Sequence, residues 1–259
     1  MRLVPVAAGL LVALWAGTGC DEASLSQPVV TAQVIKTLGP ESNTASVLLG
    51  TATVANIFRD DWMETPDPGD TTFWDYVFPA RVTPIGGADV RLNNTGLAER
   101  VSGVYFEAAL SLEYLHRYEL AIATPDGRTI TAHGFLPDSF SVVEPPYGDS
   151  GGFADLRVSW TRSDSAETYI VGVTPLDSGS TAVGWANSLR DTTCIVPAAA
   201  FADSLGAFQP GEYGVGVTAV NGGWNKSGLD LFLSGGNVSG ALGTFGCAVY
   251  ARPVPVRRY

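Results

Sequence analysis

Between Leu156 and Gly223 apolar residues recur at every second position, and this period constrains the fold more than any other feature of the 259-residue chain. In Leu156-Arg-Val-Ser-Trp-Thr161, Leu156, Val158 and Trp160 fall on one face and Arg157, Ser159 and Thr161 on the other, the pattern of a half-buried strand. A polar turn from Arg162 to Glu167 leads into a second strand, Tyr169-Ile-Val-Gly-Val-Thr174. Phe208-Gln-Pro-Gly-Glu-Tyr213 then opens a third, Tyr213 to Asn221, in which Tyr213, Val215, Val217 and Ala219 share a face. Such strands cannot bury their apolar sides singly, and packing two sheets face to face is the economical solution.

Three landmarks in this order, Val158-Ser-Trp160, Tyr169-Ile-Val171 and Pro210-Gly-Glu-Tyr213 running on to Asn221, resemble a fibronectin type III domain. The resemblance implies a module that binds or spaces and does not catalyse. An earlier unit consists of Pro84-Ile-Gly-Gly-Ala-Asp-Val-Arg-Leu92, Ser102-Gly-Val-Tyr105 and Tyr118 to Gly127. It is similar to the carboxypeptidase regulatory-like or transthyretin-like sandwich, which is not itself a peptidase. Asp126-Gly127 suits a hairpin turn between Tyr118–Thr124 and Arg128–Ala132, because glycine accepts the positive φ of tight turns. Upstream of this unit, Val47 to Phe58 reads as a strand, Thr65 to Asp70 as a turn and Thr72 to Phe78 as an aromatic return strand. Prolines and glycines from Leu136 to Gly152 mark a boundary. The expected fold class is all-β: two Ig-like or fibronectin type III-like β-sandwich domains in tandem after an export signal. The first spans residues 46–140, the linker 141–152 and the second 153–259, whose final strand is placed at Gly243–Ala251. The tail from Arg252 to Tyr259, with three arginines, reads as a solvated end.

At the N-terminus, Arg2 precedes an apolar stretch from Leu3 to Trp15 that is too short to span a bilayer stably, then the small residues Gly17-Thr-Gly19 and Cys20. This resembles the bacterial lipobox, with Gly17 where a leucine is usual. The resemblance implies that residues 1–19 are removed and that Cys20 is the lipidation site. Residues 20–45 are then expected to act as a tether, since Asp21 to Gln33 are small and polar with no sustained period. The implied address is the bacterial cell envelope, membrane-attached through the lipid. The outer membrane is favoured, but Asp21 resembles an inner-membrane retention signal, so that membrane stays open. Lipidation of Cys20 leaves Cys194 and Cys247, which are either a candidate disulfide in an oxidising compartment or two buried thiols. A formal net charge of -11 opposes binding to nucleic acid, which requires a basic surface.

The export cysteine, the Pro125-Asp-Gly-Arg-Thr-Ile-Thr-Ala132 hairpin, Val158-Ser-Trp160 and the Asn237 to Gly246 run together resemble a family of uncharacterised envelope lipoproteins from bacteria with two membranes. Genes of that family often lie near TonB-dependent outer-membrane receptors, which implies such a receptor as partner. The family brings no catalytic residues.

Gly148-Asp-Ser-Gly-Gly152 imitates the nucleophile loop of chymotrypsin-like proteases, and Thr131-Ala-His133 echoes the surroundings of their histidine. Too little chain separates His133 from Ser150 to build that machinery, and a flexible linker is the expected role. His116 and His133 have no further ligand at metal spacing, and no metal site or cofactor is expected. The candidate binding surface is the segment from Phe58 to Phe78, where aromatics alternate with acids. Trp62, Trp74 and Tyr76 could stack on a ligand while Asp60, Asp61 and Asp75 offer oxygen atoms. The simpler assignment puts those aromatics in the core and the acids in water. Trp185 and Trp224, near glycine-rich turns, allow the same two readings. The expected function is therefore a non-enzymatic envelope binding or accessory module. The alternatives are a carbohydrate-active or other hydrolase using carboxylates of the 60–75 segment, and a structural adhesin-like spacer.

Overall fold

The computed structural model describes residues 26–38, 43–53, 82–182, 184–223 and 237–259. Among these, regular structure is entirely β apart from one 3-10 turn, Ala198–Phe201. Among the described residues, nine strands precede the proline-rich stretch: β1 (Ser26–Thr37), β2 (Thr44–Thr53), β3 (Thr83–Pro84), β4 (Asp89–Leu92), β5 (Thr95–Gly96), β6 (Ala98–Val101), β7 (Val104–Ala108), β8 (Arg117–Ala123) and β9 (Thr129–Phe135). β10 (Val142–Glu144) and β11 (Asp149–Gly151) lie within that stretch. After it come β12 (Leu156–Trp160), β13 (Thr168–Pro175), β14 (Trp185–Leu189), β15 (Thr193–Val196), β16 (Gly211–Gly222), β17 (Val238–Ser239), β18 (Leu242–Tyr250) and β19 (Val254–Arg258).

The alternating segments form the second sandwich. One sheet runs β10-β12-β15, and the other layer contains β14, β13, β16, β19 and β11. Leu156, Val158 and Trp160 are buried, as are Tyr169, Val171 and Val173 and the inward residues Tyr213, Val215, Val217 and Ala219. The Trp160 ring lies 5.3 Å from that of Tyr169, whose hydroxyl accepts a hydrogen bond from Ser163 N at 2.8 Å. An aromatic pair of this kind fills space between sheets that aliphatic side chains would leave loose.

In the first sandwich, β18-β1-β2-β7-β6, with β3 beside β2, forms one sheet and β17-β9-β8-β4-β5 the other. Tyr118, Leu120 and Ile122 on β8 point inward with Ile130 and Ala132 on β9. The turn between them falls at Asp126-Gly127, where Gly127 has φ +85°.

Three expectations fail, because segments without a strong strand period of their own are recruited as strands by partners elsewhere in the chain. The stretch expected to tether the protein contains β1, which is central in its sheet: antiparallel to β2 and parallel to β18, with Val29, Val30, Ala32 and Val34 buried. Pro28 is tolerated there because β18 begins to pair only at Val29, so no partner on that side needs an N–H from Pro28. The proline-rich linker contributes β10 to β12 and β11, in parallel, to β19. The supposed solvated tail is β19, paired with the first half of β16, and its Arg258 is buried.

The boundary between the sandwiches is also not where the composition shift puts it. β16 pairs with β19 over Gly211–Val215 and with β18 over Thr218–Gly222, so a single strand belongs to both units. β17 and β18, which follow β16 in sequence, complete the two sheets of the first sandwich. Side chains reinforce the joint. Asn221 Oδ1 accepts from Phe135 N at 3.0 Å while its Nδ2 donates to Ser165 O at 2.8 Å, tying β16 to both neighbours. Segment 153–259 is therefore not a self-contained domain.

Candidate functional site

Trp62, Trp74, Tyr76, Asp60, Asp61 and Asp75 lie outside the described residues, and so does Cys20. The structure fixes where the aromatic segment is rooted. The described chain stops at Thr53, opposite Ser26 at the start of β1, and resumes at Val82, with Thr83 opposite Thr51 and Pro84 opposite Gly50. The last described residues before the segment and the first after it thus lie together at one end of a packed sheet.

The return side of this root is clamped by polar groups. Ile85 N donates to Leu49 O at 3.0 Å. The buried Tyr105 hydroxyl donates to Ile85 O at 3.1 Å and accepts from Ala88 N at 2.9 Å, and burial raises its pKa, so it stays a neutral donor. The Glu99 carboxylate accepts from Gly87 N at 3.0 Å and Gly103 N at 3.1 Å. Gly50 leaves no room for a side chain, because a Cβ there would overlap Val82 and stand 2.8 Å from Thr83 O. Replacing Gly50 by valine should therefore displace β3 and cost about 1–3 kcal/mol by overpacking, measured as a fall in the urea midpoint.

The protease-like pentapeptide has no catalytic geometry. Ser150 is exposed on β11, and Asp149 pairs with Arg258 at 3.3 Å instead of with a histidine. The backbone of His133 is engaged by Asn237: His133 N donates to Asn237 O at 3.1 Å, and Asn237 Nδ2 donates to His133 O at 3.1 Å. His116 stacks edge-on against Tyr118 at 5.2 Å. Among the described residues, no three His, Cys, Asp or Glu side chains gather to hold a metal ion.

Cys194 and Cys247 are both free thiols, so the candidate disulfide is not formed. Cys194 sits on β15 opposite Val158, whereas Cys247 is on β18 beside Gly134 of β9. Burial pushes the Cys247 thiol up to about 12, and burial raises that of Cys194 as well. Because only the thiolate is nucleophilic, a neutral alkylating reagent at mildly alkaline pH should modify Cys194 while Cys247 reacts only after denaturation. Intact-mass measurement with and without denaturant reads this directly.

Two polar residues central to the architecture carry weak sequence signals. Arg258 is 5% exposed, with its guanidinium 5.2 Å from the Phe201 ring and paired to Asp149; it clasps β11 onto β19. A terminal arginine looks solvent-bound in sequence, and only the alternation Val254, Val256, Arg258 hints at an inward position. Asn237 closes the joint at the β17–β18 crossing, donating also to Phe245 O at 2.6 Å. Within the same run, Gly240 (φ +85°) and Gly243 (φ +138°) press against the carbonyls of Thr129 and Val30. The Asn237 to Gly246 motif is thus explained by chain crossing between two sheets. Trp185 is half-buried on β14, and Trp224 lies outside the described residues.

No family model matches the sequence, and no curated protein does. Solved structures similar to the chain include the fibronectin(III)-like modules of Clostridium thermocellum CbhA, at 10% identity and TM-score 0.22, covering 88% of this chain and 94% of that one. The FN1–FN3 domains of chicken CNTN1 match at 11% identity and TM-score 0.25, covering 85% of this chain and 66% of that one. The IG1+IG2 pair of DIP-gamma matches at 7% identity and TM-score 0.21, covering 90% and 99%. Likeness at this level says nothing about activity, and the all-β architecture rests on the strand pairing itself.

Proposed function

We propose that this protein is a non-enzymatic binding or spacer module of a bacterial envelope, attached through lipidated Cys20 and acting beside a TonB-dependent outer-membrane receptor. The observation that best supports a spacer or presenting role is the sharing of β16 by both sandwiches. Modules joined by a flexible linker sample many orientations, whereas a continuous ladder holds one sandwich at a fixed distance from the other. Asp149 of the protease-like pentapeptide and Asn237 of the Asn237 to Gly246 run are engaged in holding strands together. The aromatic segment, flanked by the paired strands β2 and β3, is the surface proposed to meet a partner. The lipid anchor and the receptor come from sequence resemblance alone.

Affinity capture from detergent-solubilised envelope with the intact lipidated chain should recover the receptor. Trp62→Ala with Trp74→Ala should weaken that capture while leaving the melting temperature unchanged. Failure of repeated captures with lipidated protein would remove the receptor from the proposal. A large drop in melting temperature in the double variant would reassign those rings to the core.

A further inference from the structure

The strand order fixes a direction for the whole molecule relative to any lipid on Cys20. β1 starts at Ser26, six positions after Cys20, so the connecting chain reaches at most ~20 Å even fully extended. The start of β1 lies beside the end of β2 at Thr53, and β18 starts three residues further along β1, where Leu242 pairs with Val29. From there β1 and β18 run in parallel to Thr37 and Tyr250, where Tyr250 pairs with Thr218 of β16. β16 continues past that point, in reverse chain direction, to Gly211, which pairs with Arg258. The second sandwich therefore lies at the opposite end of this ladder from Ser26. At the usual strand rise the two ends are separated by about 35 Å along β1 and roughly 20 Å more along β16.

We propose that the lipidated protein stands end-on, with the Ser26–Thr53–Leu242 end of the first sandwich against the bilayer and the second sandwich projecting outward. This rests on the lipidation of Cys20 proposed above. The bilayer-facing end has little charge of its own. Ser26, Gln27, Pro28, Thr51, Ala52, Thr83, Pro84, Ala241 and Leu242 are neutral, Asp126 is paired with Arg128 at 3.0 Å and Asp89 with Arg91 at 3.0 Å, and the exposed Glu99, held by Gly87 N and Gly103 N, is offset by its exposed neighbour Arg100. The formal net charge of -11 opposes electrostatic docking on anionic lipid. The short connection sets the standoff, and the arrangement is insensitive to salt.

The test uses the full-length lipidated protein in phosphatidylcholine vesicles carrying a head-group energy acceptor. A donor dye is placed through Gln27→Cys, exposed near the start of β1, or Leu205→Cys, 92% exposed in the turn before Gly211. Cys194→Ser removes the accessible native thiol, and Cys247 is buried. Energy transfer should be several-fold higher from position 27 than from position 205, at low and high salt alike. A long Gly-Ser insertion after Asp21 should lower transfer from position 27 without changing flotation. Equal transfer at the two positions, or more from 205, overturns the orientation. Flotation of wild type against Cys20→Ser reads the anchor separately: if both float equally or neither does, the lipidation reading and this proposal fall together.

Discussion

Deleting Ser26–Thr37 should unfold the first sandwich, even though the remaining chain keeps the β8–β9 hairpin and all of residues 46–140, the region that reads as a domain in sequence. β1 places Val29, Val30 and Val34 at 0–1% exposure, and burying three valines is worth roughly 5–9 kcal/mol. That alone matches the ~5–15 kcal/mol total stability of an ordinary domain. The deletion also strips hydrogen-bonding partners from β2 on one side and β18 on the other, leaving two long strand edges open. The expected result by circular dichroism and size exclusion is loss of the cooperative transition together with aggregation. A milder version is Gly243→Val, which drives a side chain into the Val30 carbonyl at a φ of +138° that only glycine adopts comfortably. It should weaken the same β1–β18 pairing without removing any buried apolar group.

The second large effect is expected at Trp160. Its side chain is 4% exposed between the sheets of the second sandwich, against Tyr169. Trp160→Ala should cost about 3–5 kcal/mol by leaving a cavity that the flanking strands cannot close. Trp160→Phe should cost less, because the indole Nε1–H has no hydrogen-bond partner in the protein and its loss gives up only packing. Urea denaturation of the two variants separates these contributions, and a Trp160→Ala protein as stable as wild type would remove the tryptophan from the core.

Local periodicity explains which parts of this fold were legible. β12 and β13 alternate because one face of each is more open than the other, β16 alternates in its sequence from Tyr213 to Ala219, and the β8–β9 hairpin announces itself through Asp126-Gly127. β18 does not alternate: residues from Gly243 to Val249 are all buried, so inward and outward positions both hold small or apolar residues. β18 is legible as a strand at Gly243–Ala251, but not its place beside β1, and β1 itself reads as a tether. Its run Pro28-Val-Val-Thr-Ala-Gln-Val-Ile35 begins with a proline and gains its buried status from β18, more than two hundred residues later. Parallel pairing between strands distant in sequence leaves no turn signature between the partners, so neither β1–β18 nor β11–β19 is legible locally. The candidate site divides in the same way. The alternation of aromatics with acids is visible in sequence, but its root at Gly50, Thr51 and Thr83, clamped by Tyr105, depends on strands brought together by the fold.

Sharing β16 between the two sandwiches should make the chain one cooperative body. Scanning calorimetry of the mature chain tests it most directly. A single transition with equal calorimetric and van't Hoff enthalpies, shifted as a whole by Trp160→Ala in the second sandwich and by Gly243→Val in the first, is the predicted result. Two resolved transitions, each moved by only one of these substitutions, would contradict it.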